Sequence, residues 1–334
     1  GSRCLFVFVF KTSNDVAMVK KKTKRKAGDS LEKIASKKSE ESDAPELLTT
    51  NSNNEFLLLP GAQGKKHDLI KARVKHVAKA LGGANCEYVE KAILCALPHL
   101  AKDSPKVRKA VDAEGADVSK YIDHTVLKAD TTYDSIAKLC ADAKEHNFFA
   151  VCVNSSRVVD CKRLLLDTDI KIASVVGFPL GAMEPEIKAL EAARALSNGA
   201  DEIDMVVNIG WLKDGDYARV LADIQGVVDA SKGKVKVILE VCLLTEEQIV
   251  DGCILCAFAG AEFVKTSTGF STSGATPESV DLMKTVVGKR CLVKAAGGVK
   301  DLATAKKYIA AGISRIGTSS GVQILAGAKP GGGY

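Results

Sequence analysis

Two apolar segments late in the sequence each place a lysine where a buried strand would carry a hydrophobic side chain. The first, FVK, ends at Lys265 and runs into TSTG, and the second, LVK, ends at Lys294 and runs into AAGG. An isolated lysine of this kind usually packs its stem against the structure and extends its ammonium group to water. Two such lysines on neighbouring strands would instead lie close together and partly out of water.

A lysine pair in this setting favours amine chemistry. Repulsion and desolvation both favour the uncharged form, so the pKa of one lysine would fall. A neutral amine attacks carbonyl carbons, so one lysine could form a Schiff base while its cationic neighbour keeps that pKa low. Asp204 shares a strand face with Glu202 in EIDMVV, and its side chain would reach the site of the two lysines. We therefore expect Asp204 to relay protons beside Lys265 and Lys294.

These side chains need strands whose ends meet, and the sequence from Lys120 onward provides them. Short apolar segments alternate with helical stretches of roughly 20 residues, and glycine precedes the strand in NGADEID, AGAEFVK and AGISRIG. The eight strands are YIDHT, AVCVN, IASVV, EIDMVV, VKVILE, EFVKT, CLVKA and SRIGTS. They predict an α/β fold, a closed (β/α)8 TIM barrel with its site at the C-terminal strand ends. A doubly wound open sheet is the alternative, but no G-x-G-x-x-G follows an early strand.

Glycine and serine turns follow the last two predicted strands. They are AAGGV (295–299) and GTSSG (317–321). Barrels commonly bind phosphate at these two loops through backbone N–H groups. Either turn alone is a weak signal, but together, beside a lysine pair, they indicate a phosphorylated substrate.

The motifs IDHTVLK, GADEIDMVVNIG, FVKTSTGF, VKAAGGV and GTSSG, in chain order across roughly Lys120 to Leu325, resemble the deoxyribose-phosphate aldolase family. The resemblance implies a Schiff-base aldolase without metal or cofactor on a (β/α)8 barrel. Its reaction is the reversible cleavage of 2-deoxy-D-ribose 5-phosphate to acetaldehyde and D-glyceraldehyde 3-phosphate, in deoxyribonucleoside catabolism.

The same resemblance implies roles for individual residues. Lys265 would form the Schiff base, Lys294 would tune it, and Asp204 would relay protons with Asp123 as a second member. Thr268 and Gly269 would line the pocket. The implied phosphate-binding residues are Gly297, Gly298, Gly317, Ser319 and Ser320. Some family members carry a further lysine after KTSTG, where this chain has Phe270, and this difference puts one phosphate contact in doubt.

Three further residues are candidates for the pocket. Glu240 ends the fifth predicted strand and would either act directly or hold a lysine. Cys152 ends the second strand and is expected to pack. Tyr334 follows the flexible PGGG and either ends a free tail or folds back over the barrel mouth to assist proton transfer. The pair Cys253 and Cys256, like the five histidines, lacks the spacing of metal ligands, so we expect no metal site.

The remaining sequence divides around the barrel. We expect a disordered basic leader (1–64), a helical extension (65–117), the barrel (118–327) and a flexible tail (328–334). The leader contains KKKTKRK, Lys20–Lys26, which fits a solvated tail or a nuclear-targeting signal, and Met18 would be a sensible start. The missing aromatic interleaving argues against nucleic-acid binding.

Partner and compartment are less constrained by the sequence. No apolar run approaches the ~20 residues of a membrane span, and the scattered cysteines favour a reducing compartment, the cytoplasm. The sequence leaves open whether the chain forms a homodimer. Two other functions also stay open: a Schiff-base aldolase or transaldolase for another sugar phosphate, and a non-enzymatic binder of acidic partners through the basic N-terminus.

Overall fold

The computed structural model of the protein describes residues 49–50, 56–57, 60–101 and 112–327, with side chains from residue 64 onward. Eight parallel strands close on themselves in chain order, and the last is hydrogen-bonded to the first. The strands are β1 Ile122–Thr125, β2 Ala150–Asn154, β3 Lys171–Val176, β4 Glu202–Val206, β5 Val235–Ile238, β6 Phe263–Lys265, β7 Leu292–Ala296 and β8 Arg315–Thr318. Closure excludes the open sheet and confirms the predicted (β/α)8 barrel.

The register of the barrel brings titratable side chains together. Lys265 of β6 pairs with Lys294 of β7, and Lys294 pairs in turn with Arg315 of β8. Asp204 of β4 pairs with Lys236 of β5. Paired residues of neighbouring parallel strands point to the same face, so all five side chains lie on the inner face of the barrel.

Helices cover the outside of the barrel. Their bounds are α1 Pro60–Gly82, α2 Cys86–Ala96, α3 Tyr133–Glu145, α4 Val158–Leu164, α5 Pro185–Ser197, α6 Ile209–Asp214, α7 Tyr217–Ala230, α8 Glu246–Ala259, α9 Pro277–Val287, α10 Leu302–Ala310 and α11 Gly321–Leu325. Thr245 and Thr276 form capping boxes that start α8 and α9. Because each side chain accepts a hydrogen bond from an unpaired N–H of the first turn, these residues fix where the two helices begin.

Three of the glycines expected between helix and strand have the backbone conformation that this position needs. Gly199, Gly260 and Gly312 have φ angles of 108°, 95° and 85°. Residues other than glycine are strained at such positive φ angles, which explains why glycine recurs before β4, β6 and β8.

The N-terminal extension packs against the helices that follow β5 and β6. Arg73 of α1 donates a 2.8 Å hydrogen bond to Asp251 of α8, and the ring of His99 lies 3.0 Å from the carbonyl oxygen of Val286 in α9. Cys253 and Cys256 are fully buried in α8. Helix α1 begins at Pro60, five residues before the predicted start of the extension at Lys65.

Thr49–Thr50 and Phe56–Leu57 pair as a short antiparallel ladder within the predicted leader. The basic run Lys20–Lys26, Met18 and the tail 328–334 lie outside the described residues. Among the helices of the described part of the chain, none has the length and apolar composition of a membrane span.

Candidate active site

The three side chains expected to carry the chemistry meet inside the barrel. Lys265 Nζ lies 2.7 Å from Asp204 Oδ2, and Lys294 Nζ lies 2.9 Å from the same oxygen. Lys265 is 3% exposed, whereas Lys294 and Asp204 are fully buried. The structure therefore brings together the predicted lysine pair and carboxylate. The three side chains lie inside the barrel rather than at its open mouth.

Asp123 lies on the other side of Lys294. Lys294 Nζ donates a short hydrogen bond to Asp123 Oδ2, and Arg315 Nη1 lies 3.3 Å from Asp123 Oδ1. Strands β1 and β8 are neighbours only because the barrel closes, and closure thereby places Asp123 beside residues far along the chain. Lys294 is held between two carboxylates.

The structure adds three charged residues that the sequence analysis did not select as site residues. Lys236 Nζ lies 2.7 Å from Asp204 Oδ1 and 2.6 Å from Glu202 Oε2. Arg315 lies 3.2 Å from Glu202. A signal for Lys236 was present, because the segment VKV places a lysine inside an apolar strand in the same way as FVK and LVK.

Burial and neighbouring charges separate the lysines of this cluster. Burial lowers the pKa of Lys265, and the charge of Lys294 lowers it further although Asp204 opposes the change. Burial would also lower the pKa values of Lys294 and Lys236, but their carboxylate neighbours outweigh it, and both values are raised. Among these three buried lysines, Lys265 is therefore the one poised to lose its proton.

The carboxylates of the cluster stay ionised. Burial would raise the pKa of Asp204, but Lys236, Lys265 and Lys294 hold it well below the usual range. The pKa of Asp123 is also lowered, because Lys294, Lys236 and Arg315 outweigh its burial. Both side chains therefore act as hydrogen-bond acceptors around the lysines.

The loop that follows Lys265 is fixed by hydrogen bonds from both sides. Thr266 Oγ1 donates to the carbonyl oxygen of Ala296 at 3.0 Å, and its own amide donates to the carbonyl oxygen of Lys294 at 3.1 Å. Glu240 accepts hydrogen bonds from the amide and the hydroxyl of Thr268. The buried Glu240 therefore holds the loop after β6 rather than a lysine.

The backbone of Glu240 is itself unusual. Its φ and ψ angles of 59° and 62° lie in the left-handed region, which a residue with a Cβ adopts at a cost. Strand β5 therefore ends at Ile238, two residues before the predicted end. Strained residues of this kind persist where the surrounding structure holds them, and Thr268 is a partner that does so here.

Glycines allow the loop after β6 and the loop after β7 to approach each other closely. Gly297 and Gly298, directly after β7, have φ angles of 83° and 79°. A Cβ on Gly269 would lie 4.0 Å from Gly297 Cα, and a Cβ on Gly274 would overlap the carbonyl of Gly297. Gly274 was not selected from the sequence. Only residues without side chains fit where Gly274 and Gly297 meet, whereas the distance at Gly269 is an ordinary van der Waals contact.

The residues expected to bind phosphate after β8 occupy two different settings. Ser319 is exposed, and Ser320 is half-buried with its amide donating to Thr318 Oγ1 at 2.9 Å. Gly317 lies within β8, where a Cβ would come within 3.1 Å of Lys294 Cε. Gly317 therefore provides room for the Lys294 side chain, a role that the sequence analysis did not assign to it.

An apolar wall lies opposite these loops. Cys152, Leu127, Ala173 and Val175 form a buried cluster with Phe178 packed against it. Burial raises the pKa of the Cys152 thiol, and nearby Asp204 adds to this effect, so Cys152 is a neutral packing residue as expected. The ring of Phe178 also meets that of Phe270 edge to face, with centroids 5.1 Å apart. Tyr334 lies outside the described residues.

Comparison with known proteins gives a consistent result. Residues 118–327 match the model of the DeoC/LacD family aldolases. The chain is 56% identical over 212 residues to a deoxyribose-phosphate aldolase of Geobacillus sp. strain WCH70, covering 63% of this chain and 95% of that protein. It is also 56% identical over 220 residues to the enzyme of that name from Thermococcus gammatolerans, covering 64% and 98%.

Solved structures agree with these relatives. A crystal structure of a putative deoxyribose-phosphate aldolase from Coccidioides immitis matches with a TM-score of 0.65 and 38% identity, covering 71% of this chain and 96% of that one. The deoxyribose phosphate aldolase from Aeropyrum pernix, described as tetrameric, matches with a TM-score of 0.59 and 30% identity, covering 70% and 95%. With its closed barrel and its buried lysine cluster, this chain belongs to the DeoC/LacD family of aldolases.

Proposed function

We propose that this protein reversibly cleaves 2-deoxy-D-ribose 5-phosphate to acetaldehyde and D-glyceraldehyde 3-phosphate through a Schiff base on Lys265, in deoxyribonucleoside catabolism. The observation that carries the proposal is the buried cluster in which Lys265, alone among three lysines, has a lowered pKa. Proteins that share more than half of their residues with the matched region carry the name of this enzyme.

The charge balance of the cluster supports Lys265 as the nucleophile. Lys236, Lys265, Lys294 and Arg315 face the three carboxylates Asp123, Glu202 and Asp204. With all groups ionised, the buried cluster carries one excess positive charge, which is costly in a medium of low dielectric constant. Loss of one lysine proton makes the cluster neutral, and Lys265 is also the lysine most accessible to a substrate.

In the proposed first step, the neutral amine of Lys265 attacks C1 of the open-chain aldehyde. The C1 oxygen takes up a proton, and a second proton lets it leave as water, which forms the iminium. Lys294 has a raised pKa and donates from its ammonium group, while the ionised Asp204 lies between the two lysine nitrogens and relays the proton. The second carboxylate, Asp123, keeps Lys294 charged.

In the second step, the iminium accepts the electron pair of the C2–C3 bond. The C3 hydroxyl loses its proton to the Asp204 relay, C3 becomes the aldehyde carbon of glyceraldehyde 3-phosphate, and C2 becomes part of an enamine on Lys265. Protonation at C2 and addition of water to C1 then release acetaldehyde and free the amine. One water molecule leaves when the iminium forms, and one is added when acetaldehyde is released.

The phosphate is proposed to lie over Gly297, Gly298, Ser319 and Ser320, with Thr268 and Gly269 beside it. Gly298 and Ser319 are exposed, and a Cβ added at Gly298 would meet no atom within 4 Å, so there is open space beside this glycine. Phe270 stands where some family members carry a lysine, so neutral N–H and hydroxyl donors carry the binding at this corner. Assembly as a homodimer and a cytoplasmic location stay predictions.

Trapping experiments test this proposal. With borohydride, acetaldehyde should add a two-carbon label to Lys265, whereas dihydroxyacetone phosphate should add none. Lys265→Met should abolish both labelling and cleavage of 2-deoxyribose 5-phosphate, and the exposed Lys138→Met serves as the matched control. Labelling by dihydroxyacetone phosphate would instead identify an aldolase for another sugar phosphate, and a label mainly on Lys294 would reverse the roles of the two lysines.

A further inference from the structure

Three consecutive residues with side-chain hydroxyl groups follow the proposed nucleophile in the chain. They are Thr266, Ser267 and Thr268. All three are buried, and Ser267 is 0% exposed. A buried hydroxyl without a hydrogen-bond partner is costly, because its contact with water is lost and nothing replaces it. The hydrogen bonds of each hydroxyl therefore show which of the three the fold itself uses.

The fold uses the hydroxyls of both threonines. Thr266 Oγ1 donates to the carbonyl oxygen of Ala296 and accepts from the amide of the same residue, both at 3.0 Å. Thr268 Oγ1 donates to Glu240 and accepts from the amide of Phe270 at 3.0 Å. A hydroxyl has one proton to donate, so neither threonine has a donor left for a substrate.

The hydroxyl of Ser267 is in a different situation. Its oxygen is buried and has no hydrogen-bond partner among the described residues. Buried polar groups almost always have a partner in a folded protein. A hydroxyl that lacks one within the protein is therefore suited to bind a ligand.

Ser267 lies on the same side of the chain as the nucleophile. The amide of Thr266 donates to the carbonyl oxygen of Lys294, and the carbonyl oxygen of Thr266 accepts from the amide of Val241. The backbone is therefore bonded to both neighbouring segments one residue beyond β6, as it is within the strand. Because residues two apart on a strand point to the same face, Ser267 follows Lys265 on the inner face of the barrel.

The other neighbour of Ser267 is the first glycine of the loop after β7. A Cβ on Gly297 would lie 3.4 Å from Ser267 Cβ. Ser267 therefore stands between Lys265 and the glycines to which the phosphate is assigned. Lys265 is itself only 3% exposed, so the nucleophile and this hydroxyl are buried together. A substrate that reaches the amine enters the same buried space.

We propose that Ser267 binds the C4 hydroxyl of 2-deoxyribose 5-phosphate and thereby selects the aldehyde that the reverse reaction accepts. This inference rests on the proposed function, in which Lys265 holds C1 and the loops after β7 and β8 hold the phosphate on C5. The C3 hydroxyl is assigned to the Asp204 relay. The C4 hydroxyl is the remaining polar group between the two ends, and it can accept the proton of the serine hydroxyl.

Binding of this hydroxyl makes the site selective for an acceptor aldehyde that carries it. In the reverse direction, C4 comes from C2 of D-glyceraldehyde 3-phosphate. The analogue 3-oxopropyl phosphate has the same aldehyde and phosphate groups but lacks the C2 hydroxyl, so it leaves Ser267 without a partner. A site built to bind a substrate hydroxyl disfavours the analogue that lacks it for this reason.

Addition of acetaldehyde to these two acceptors by the full chain tests the proposal. Ser267→Ala should lower kcat/KM about tenfold with D-glyceraldehyde 3-phosphate, the effect of one neutral hydrogen bond, and leave it nearly unchanged with 3-oxopropyl phosphate. Ser267→Cys keeps a side chain of similar shape but donates only weakly, so it should lose the same selectivity. The matched control is Ser174→Ala, which should keep the wild-type ratio, because the fully buried Ser174 donates to the carbonyl oxygen of Val175 at 3.2 Å.

Stability gives a second measurement that does not depend on the reaction. A hydroxyl without a partner in the free protein does not stabilise it, so Ser267→Ala should leave the urea midpoint unchanged or raise it. A lower midpoint would show that the hydroxyl already has a partner in the free protein, and would overturn the proposal.

The kinetic outcomes separate this inference from the function on which it rests. Equal losses of kcat/KM with both acceptors in Ser267→Ala would refute the role of Ser267 alone, with the aldolase reaction intact. A wild type that adds acetaldehyde to neither acceptor would refute the proposed function, and the role of Ser267 with it.

Discussion

Replacing Lys294 by methionine removes one charge from the buried cluster while keeping an unbranched side chain of similar length. Lys294 and Lys265 both lie within hydrogen-bonding distance of Asp204 Oδ2, at 2.9 and 2.7 Å. Their nitrogens are therefore separated by no more than about 6 Å, where two unit charges repel by about 3 kcal/mol at an effective dielectric constant of about 20. This repulsion is part of what keeps the pKa of Lys265 low.

The expected consequence has a definite sign. Loss of a nearby cation raises the pKa of an ammonium group, so Lys294→Met should raise the pKa of Lys265 and move the pH dependence of kcat/KM to higher pH. A change of about 3 kcal/mol corresponds to about a hundredfold less neutral amine at a fixed pH below that pKa. Asp123 and Asp204 also lose a buried partner, which should lower the free energy of unfolding by about 3–5 kcal/mol.

The assay is the pH profile of 2-deoxyribose 5-phosphate cleavage, together with urea unfolding. Lys188→Met is the matched control, because Lys188 is fully buried and paired with Asp223 at 2.6 Å outside the barrel interior. This control should lose stability without moving the pH profile. If the Lys294→Met profile coincides with that of the wild type while both variants are destabilised, charge tuning by Lys294 is refuted.

Four further predictions concern the surroundings of the lysine pair. Lys236→Met should lower kcat by at least tenfold with a small change in KM, because Asp204 Oδ1 loses the 2.7 Å contact that orients it; an unchanged kcat would exclude this positioning role. Ser319→Glu should raise KM for the 5-phosphate far more than for unphosphorylated 2-deoxyribose, and equal losses on both would contradict phosphate binding there. Glu240→Gln should raise KM with labelling of the nucleophile intact, since it weakens the hold on Thr268; circular dichroism checks that the fold persists. Tyr334→Phe should lower kcat markedly while labelling and thermal stability stay nearly constant, and wild-type turnover would assign the tail no part in catalysis.

The sequence by itself determined the strands of the barrel and which charged residues lie inside it. Strand alternation identified Lys265, Lys294 and Asp204, because a charged residue inside an apolar strand is visible without any partner. Glycine before a strand marked the helix ends, since Gly260 and Gly312 adopt a conformation that few other residues tolerate. These signals depend on a few residues that are neighbours in the chain, and such local patterns can be read directly from the sequence.

Only the tertiary structure decided which charges bind which. Asp123 and Lys294 are 171 residues apart in the chain and meet because β8 closes against β1. The position of Lys236 between Asp204 and Glu202 follows from the register of β4 and β5, which no local pattern encodes. Glu240 was expected to act directly or to hold a lysine; the left-handed turn after Ile238 directs its carboxylate to Thr268, and a direct role stays a prediction. Partner choice inside a barrel depends on closure and register, and both arise from interactions among all eight strands.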